Sequence, residues 1–332
     1  MEEKSSTTSF SMAIPSEETV LIWMVPFVAL GGLIVMSNTL TIITFVINRH
    51  LRRRSVYCLI NLAVADMLYG AVLTSYSWCV LGVTFFGFKV DFKTQGMFIP
   101  SLLTIMGSLL SLVVVCIDRV YATFFPFRHR GARPRVYAFT FIITWSLALL
   151  TSLMYHLTPR TKTTFPVVFY WFLLALSLTV MIISYTSIFL KVKAQNKFHH
   201  PHQQQARVLE NQMKERHLAM TLFIVTILSL LTWLPFLFVR ALNPARYNFY
   251  GRLTVLPRSY CMVFLIQASN SFINPIVYLF RMRDFRSAFF GLISRCSNHS
   301  RVHPQNGNIS RENGRSLELE ATQASHSRAG VN

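Results

Sequence analysis

The chain has 332 residues and a net charge of +19, with 52% hydrophobic and only 14% charged residues, and its mean hydropathy is +0.42. A soluble domain carries about 25% charged residues, so composition excludes an ordinary water-soluble globule. The Lys and Arg sit in short clusters between long apolar runs, which fits membrane-flanking charge and not nucleic-acid binding, and five cysteines without a CxxC pair exclude a disulfide scaffold or a zinc module.

Residues 1–19 begin MEEKSSTTSF and lack the basic start and apolar core of a cleavable signal; they are expected to be an extracellular N-terminus. A helix needs about 20 mostly apolar residues to cross a bilayer core. Seven windows meet that condition: residues 20–47, 57–84, 94–123, 136–157, 165–192, 214–241 and 257–281. No long β alternation is visible, and only helices or closed barrels satisfy their backbones in lipid. The sequence therefore predicts an all-α membrane protein, with a seven-helix transmembrane bundle over 20–281. The stretch RMRDFRSAFFGLI predicts a short amphipathic eighth helix on the membrane surface over 283–294. Residues 296–332 are Ser-, Asn- and Arg-rich and read as a disordered cytoplasmic tail. No internal repeat is visible, which argues against an inverted-repeat transporter.

Of the basic residues, nine lie in segments on the N-terminal side of the bundle and 23 on the opposite side. The positive-inside rule then places the N-terminus outside and the C-terminus in the cytoplasm.

Polar residues inside the spans are the candidate functional groups. Asp66, in NLAVADMLYG, falls in mid-membrane, where a carboxylate costs several kcal/mol unless partnered. Asn38, Ser108, Asn270, Ser271 and Asn274 lie at comparable depth. A carboxylate among hydroxyl and amide oxygens suits a hard cation such as Na⁺; the alternative is a neutral Asp hydrogen-bonded to a neighbouring helix. Pro235 and Pro275 each free a carbonyl four residues earlier, at Leu231 and Ser271, and read either as static kinks or as hinges. Asp118 and Arg119 end the third span, and Glu215 begins the sixth at the same level. They form either a helix clamp or ordinary interfacial charges worth under ~1 kcal/mol.

Taken together, Asn38, LAVAD (62–66), Asp118-Arg119, Trp145, Tyr185, TWLP (232–235) and NPIVY (274–278), followed by RMRDF with Phe285, fall one set per span. In that order they resemble the rhodopsin-like (class A) G-protein-coupled receptors over about residues 20–295. The resemblance implies that Arg119 contacts a heterotrimeric G protein in the active state and is restrained by Asp118 and Glu215 in the inactive one. It implies that Tyr185 and Tyr278 swing inward to support Arg119, that Trp233 is a pivot below the ligand, and that Pro126-Phe127 present an apolar side chain to the G protein. Asp66, Ser108, Trp233, Asn270, Ser271 and Asn274 match the family's allosteric sodium pocket. Phe285 would seat the surface helix, and Cys296 beyond it is either a palmitoylation site or a plain thiol. An arrestin and a receptor kinase are further partners the family implies, and the plasma membrane is the expected location.

The chain departs from the family pattern in several places. Val120 stands where a tyrosine is usual, Ser177 replaces the fifth-helix proline, and Ser229 replaces an aromatic four residues before Trp233. Thr94 replaces the cysteine of the usual loop disulfide, and the second outer loop (158–164) is short and has no cysteine. These features look like the branch holding melanocortin, adenosine, lysophospholipid and cannabinoid receptors. Cys79 and Cys261, at the outer ends of the second and seventh helices, are a candidate substitute disulfide, against the default of two reduced thiols.

By the same resemblance the ligand chamber would be lined by Tyr76, Phe98, Ser101, Ile105, Phe169, Phe236, Arg240, Phe264 and Gln267. Ser101 stands where an amine receptor carries Asp, and Ala268 where retinal needs a lysine, so neither ligand fits. Arg240 would favour a small amphiphilic or anionic molecule, unless it snorkels outward. The expected activity is a ligand-driven switch in which the sixth helix moves outward, not an enzyme. The rival readings are a receptor-like protein signalling without ligand, and a seven-helix transporter or channel.

Overall fold

A computed structural model describes residues 17–51, 54–88, 98–161, 165–196, 220, 224–225, 227–239, 242 and 258–299. The elements in chain order are α1 (Glu17–Ile47), a 3₁₀ turn (Arg49–Leu51), α2 (Val56–Phe86), α3 (Phe98–Phe124) and the short α4 (Pro126–Gly131). They continue with α5 (Pro134–Thr161), α6 (Phe165–Asn196), α7, described over Ile227–Val239, α8 (Arg258–Arg281) and α9 (Arg283–His299). Six of these helices are long and apolar enough to cross a membrane, and α7 is the seventh apolar one. The predicted windows overlap α1, α2, α3, α5, α6 and α8, and the window 214–241 lies partly outside the described residues; three features differ from expectation. The α5 helix runs on to Thr161 and α6 starts at Phe165, so the second outer loop is shorter than expected. The surface helix does not stop at 294 but reaches His299. The loop holding Pro126 folds into a helix of its own, because proline at the first helical position forgoes an N–H that would have no partner there.

Serine and threonine are common in these spans because they close on their own helix. Thr41, Thr44, Thr144, Thr151 and Ser177 each donate to the carbonyl four residues earlier, at 2.7–2.8 Å. Such back-bonding keeps hydroxyls satisfied where lipid offers no acceptor. The α2 helix ends at Gly87, whose φ of 64° is left-handed. There the Phe88 N–H reaches back to the Gly82 carbonyl at 3.2 Å, a C-terminal closure for which glycine is suited.

Helix packing uses both polar links and small residues. In one contact α1 and α2 approach at Gly31 and Gly70: a Cβ on Gly70 would lie 2.9 Å from the Gly31 carbonyl oxygen. In another, Asn61 on α2 donates to Ser111 on α3 at 2.7 Å and accepts from Trp145 Nε1 on α5 at 3.1 Å. Trp145 lies flat enough on α3 that a Cβ on Gly107 would meet its ring at 3.1 Å. Toward the start of α3, Ser152 on α5 donates to the Ile99 carbonyl at 2.8 Å. At the far end Lys191 on α6 donates to the Thr123 carbonyl at 2.6 Å, with its ammonium 4.4 Å from the Phe124 ring.

The candidate disulfide is corrected here: Cys79 and Cys261 are both free thiols. At that level the buried face of α2 is Tyr76, Ser77 and Val80. Cys79 sits on a partly exposed flank, next in sequence to the exposed Trp78, whereas Cys261 is buried. A bridge needs the two Cβ atoms within about 4.5 Å and aimed at one another.

Candidate functional site

The middle of the bundle is organised by Asp66. It is fully buried, and α3 and α8 bring donors to both of its oxygens. Ser108 Oγ donates to Oδ1 at 2.5 Å, Ser271 Oγ to the same oxygen at 2.7 Å, and Asn274 Nδ2 to Oδ2 at 2.8 Å. Asn270 is buried one turn before Asn274. The side-chain oxygens of Asn270 and Asn274, and the indole nitrogen of Trp233, are buried without a hydrogen-bond partner among the described residues. Three donors thus converge on the carboxylate, while two amide oxygens nearby have none.

Asn38 belongs to this layer but does not touch Asp66. Its Nδ2 donates to the Ser271 carbonyl at 3.0 Å and to the Ile34 carbonyl at 3.0 Å. The Ser271 carbonyl is the one left without its helical donor by Pro275. Asn38 therefore repairs, from α1, the break that proline makes in α8. This is how a helix breaker is tolerated inside a membrane bundle.

At the end of the bundle nearest Asp118, that residue and Arg119 are both buried and form an ion pair. Arg119 binds Asp118 Oδ2 through Nε, at 3.2 Å, and through a terminal nitrogen. The other oxygen, Oδ1, faces His129 Nε2 at 2.9 Å and accepts from Tyr137 OH at 3.1 Å. Neither His129 nor Tyr137 was foreseen from sequence. Tyr278 turns away from this cluster: its buried ring packs against Phe45 (6.4 Å) and Phe285 (6.1 Å). Phe285 is fully buried, as expected of the residue seating α9. Tyr185 is buried as well. By contrast, Phe127 on α4 is 86% exposed, although it is large and apolar. Glu215 lies outside the described residues.

At the opposite end Trp233, Phe236, Tyr260 and Phe264 form an aromatic shelf, with successive centroids 6.0–6.4 Å apart around Phe236. Phe27 joins it from α1, 5.5 Å from Phe264. Beside it Tyr69 OH donates to Gln267 Oε1 at 3.2 Å. Tyr76, Ser101 and Gln267 are buried and Ile105 is partly buried, so most of the predicted lining does come to the interior. Phe169 is partly buried and stacks on the exposed Phe165 (6.0 Å), while its neighbour Tyr170 is buried, against Tyr155 at 5.5 Å. The Phe98 side chain and Arg240 lie outside the described residues. So does the Cys296 side chain, although its backbone is helical within α9.

Residues 37–278 match the family described as "7 transmembrane receptor (rhodopsin family)". Among curated relatives, adenosine receptor A2b of Bos taurus is 27% identical over 86% of this chain and 94% of its own length. Substance-K receptor of Mus musculus is 28% identical over 88% of this chain and 79% of its own. Cannabinoid receptor 1 of Xenopus laevis is 24% identical over 86% of this chain and 66% of its own. Adenosine and cannabinoid receptors belong to the branch to which the departures from the family pattern pointed and the substance-K receptor does not, so these similarities show the family and not a branch of it.

Proposed function

The chain belongs to the rhodopsin family of seven-transmembrane receptors, and from that premise we propose how this G-protein-coupled receptor works. The observation that carries the proposal is the buried Asp118–Arg119 pair with the exposed Phe127 on the adjoining helix. Arg119 is held by Asp118 in the resting state. An extracellular ligand settles on the aromatic shelf around Trp233 and Phe236. The end of α7 nearest Asp118 then swings outward about Pro235, Arg119 leaves Asp118 for the G protein, and Tyr185 and Tyr278 turn in to support it. Phe127 enters an apolar pocket of the same G protein. Ligand and G protein favour one state, so each strengthens binding of the other by the same factor.

This mechanism predicts that Phe127→Ala lowers ligand-independent nucleotide exchange on purified heterotrimeric G proteins by about tenfold, the scale of losing one buried aromatic anchor. The amount of receptor in the membrane should not change, because Phe127 is 86% exposed among the described residues. Exchange equal to that of the unaltered receptor would refute the docking role.

The oxygens around Asp66 fit a sodium ion. The donor set is one carboxylate, the hydroxyls of Ser108 and Ser271 and the amide oxygens of Asn270 and Asn274, all hard ligands with no sulfur or imidazole among them. The two partnerless amide oxygens support the assignment, since buried acceptors are normally satisfied. Sodium would supply positive charge to a buried carboxylate and so favour the resting arrangement.

The receptor is a multi-pass membrane protein. The asymmetry of 23 basic residues against nine supports an extracellular N-terminus and a cytoplasmic C-terminus at the plasma membrane. An epitope placed before Met1 should label intact cells, and one placed after Asn332 only permeabilised cells. The reverse pattern would overturn this topology.

A further inference from the structure

The last turn of α3 is capped from another helix. A helix leaves its final four carbonyls without backbone donors, and its negative end attracts a cation. The last turn of α3 holds no basic residue of its own. The chain leaves the helical track at Phe125 (φ −128°, ψ 60°) and restarts as α4 at Pro126. Across this elbow the Phe125 N–H reaches the Tyr121 carbonyl at 2.9 Å, and the His129 N–H reaches the Phe125 carbonyl at 2.9 Å. Among the described residues no backbone N–H across the elbow reaches the Thr123 carbonyl. Lys191 of α6 donates to it at 2.6 Å. The same ammonium lies 4.4 Å from the Phe124 ring centroid, within the range of a cation–π attraction.

Lys191 is partly buried, and Ile188, three residues before it, is buried. This face of α6 therefore turns into the bundle, and the lysine stem crosses to α3. Thr123 and Phe124 are the last two residues of α3, and Phe127 follows three residues after Phe124. The elbow between them sets the direction in which Phe127 projects. Two further contacts hold that elbow and the helix beyond it. The Tyr121 and Phe125 rings lie 5.8 Å apart, and the Arg54 guanidinium of the α2 side donates to the Ala132 carbonyl at the far end of α4. Of these three holds, Lys191 is the one that α6 supplies. We propose that Lys191 is a positioning residue for G-protein coupling: by capping α3 it fixes the elbow from which α4 presents Phe127. The inference builds on the docking role of Phe127 proposed above. The lysine acts through the elbow, not by touching the G protein.

The chemistry of the cap says which substitutions separate its parts. The head must donate to a carbonyl and face a ring at the same time. Methionine keeps most of the stem's length and apolar bulk but can neither donate nor carry charge. Arginine keeps both the charge and the donors.

The test uses purified full-length receptor in lipid nanodiscs without ligand, as wild type, Lys191→Met, Lys191→Arg, Phe127→Ala and the Lys191→Met, Phe127→Ala double variant. The first measurement is deuteration of the backbone amides of residues 127–131 in receptor alone. Lys191→Met should speed it severalfold, because a helix that loses a hold opens more often, and Lys191→Arg should leave it at the wild-type rate. The second measurement is nucleotide exchange against the concentration of heterotrimeric G protein. Lys191→Met should raise the half-saturating concentration about threefold and leave the maximal rate unchanged, and Lys191→Arg should restore it. A positioning residue loses no more than the side chain it positions, for which the loss is about tenfold. In the Phe127→Ala background Lys191→Met should add nothing, since residues acting through one contact are not additive. Equal deuteration of wild type and Lys191→Met would overturn the proposal. So would additive losses in the double variant, which would mean that the lysine meets the G protein directly. A silent Phe127→Ala would remove the docking reading and the positioning role with it, whereas a silent Lys191→Met beside an impaired Phe127→Ala would remove the positioning role alone. If Lys191→Met is not recovered folded, Lys191→Ala carries the same comparison.

Discussion

Replacing Gly70 by Val should leave little folded receptor in the membrane. A Cβ at this position would lie 2.7 Å from Ile34 Cγ2 and 2.9 Å from the Gly31 carbonyl oxygen, and a Cβ on Gly31 would lie 2.3 Å from Thr74 Oγ1 and 2.9 Å from the Gly70 carbonyl. The obstacle is partly backbone, so no rotamer change relieves it, and α1 would have to move off α2. Overpacking a core costs about 1–3 kcal/mol where side chains can adjust, and here the branched Val adds two methyl groups beyond the Cβ. Displacing α1 also endangers the Asn38 bond to the Ser271 carbonyl, so the cost spreads to α8. Small residues at helix contacts matter most in lipid, where close backbone approach replaces much of the hydrophobic drive. The matched control is Gly32→Val, since a Cβ on Gly32 meets nothing within 4 Å. Monodisperse receptor recovered after detergent extraction should fall severalfold for Gly70→Val and stay level for Gly32→Val. Equal recovery of the two would show that the α1–α2 approach is not critical.

That contact also shows where sequence reading stops. Gly31 and Gly32 are adjacent in an apolar window and look alike, and only the position of α2 separates them. The same holds for phase around an axis: α6 is apolar on nearly all sides, so nothing in its composition says that Tyr170 is buried more deeply than Phe169. Helices that face lipid lose the amphipathic stripe that fixes rotation in a soluble bundle. Motif residues fared better, because a carboxylate or a proline in lipid must be compensated wherever it lies. The Ser271 carbonyl freed by Pro275 and the buried amide of Asn38 were both legible in the sequence. Their pairing was not, since it depends on α1 lying beside α8. His129 and Tyr137 escaped notice for a different reason: they belong to a connection and a helix start, where local pattern carries no hint of a partner on α3.

Sodium should raise the thermal stability of the wild-type receptor, and Asp66→Asn should abolish that effect. The argument is one of linkage. An ion that binds the folded resting state and not the unfolded chain stabilises it by about 2.7 kcal/mol at one hundred times its dissociation constant. Asparagine preserves the shape of the site and can still accept from Ser108 or Ser271, but it removes the charge that would hold the cation. Its amide nitrogen would also face Asn274 Nδ2, which now donates to Asp66 Oδ2 at 2.8 Å. Two donors cannot pair, so Asn274 must flip, turning its partnerless oxygen toward the new amide. The flip therefore gives a hydrogen bond to one of the two amide oxygens that sodium would coordinate, and the variant should be stable without the ion. Melting temperature measured against NaCl, with choline chloride at equal ionic strength, separates the two cases. A wild-type curve that climbs with sodium beside a flat and already raised Asp66→Asn curve supports the site. Parallel curves would mean that Asp66 serves only as a hydrogen-bond acceptor joining α2, α3 and α8.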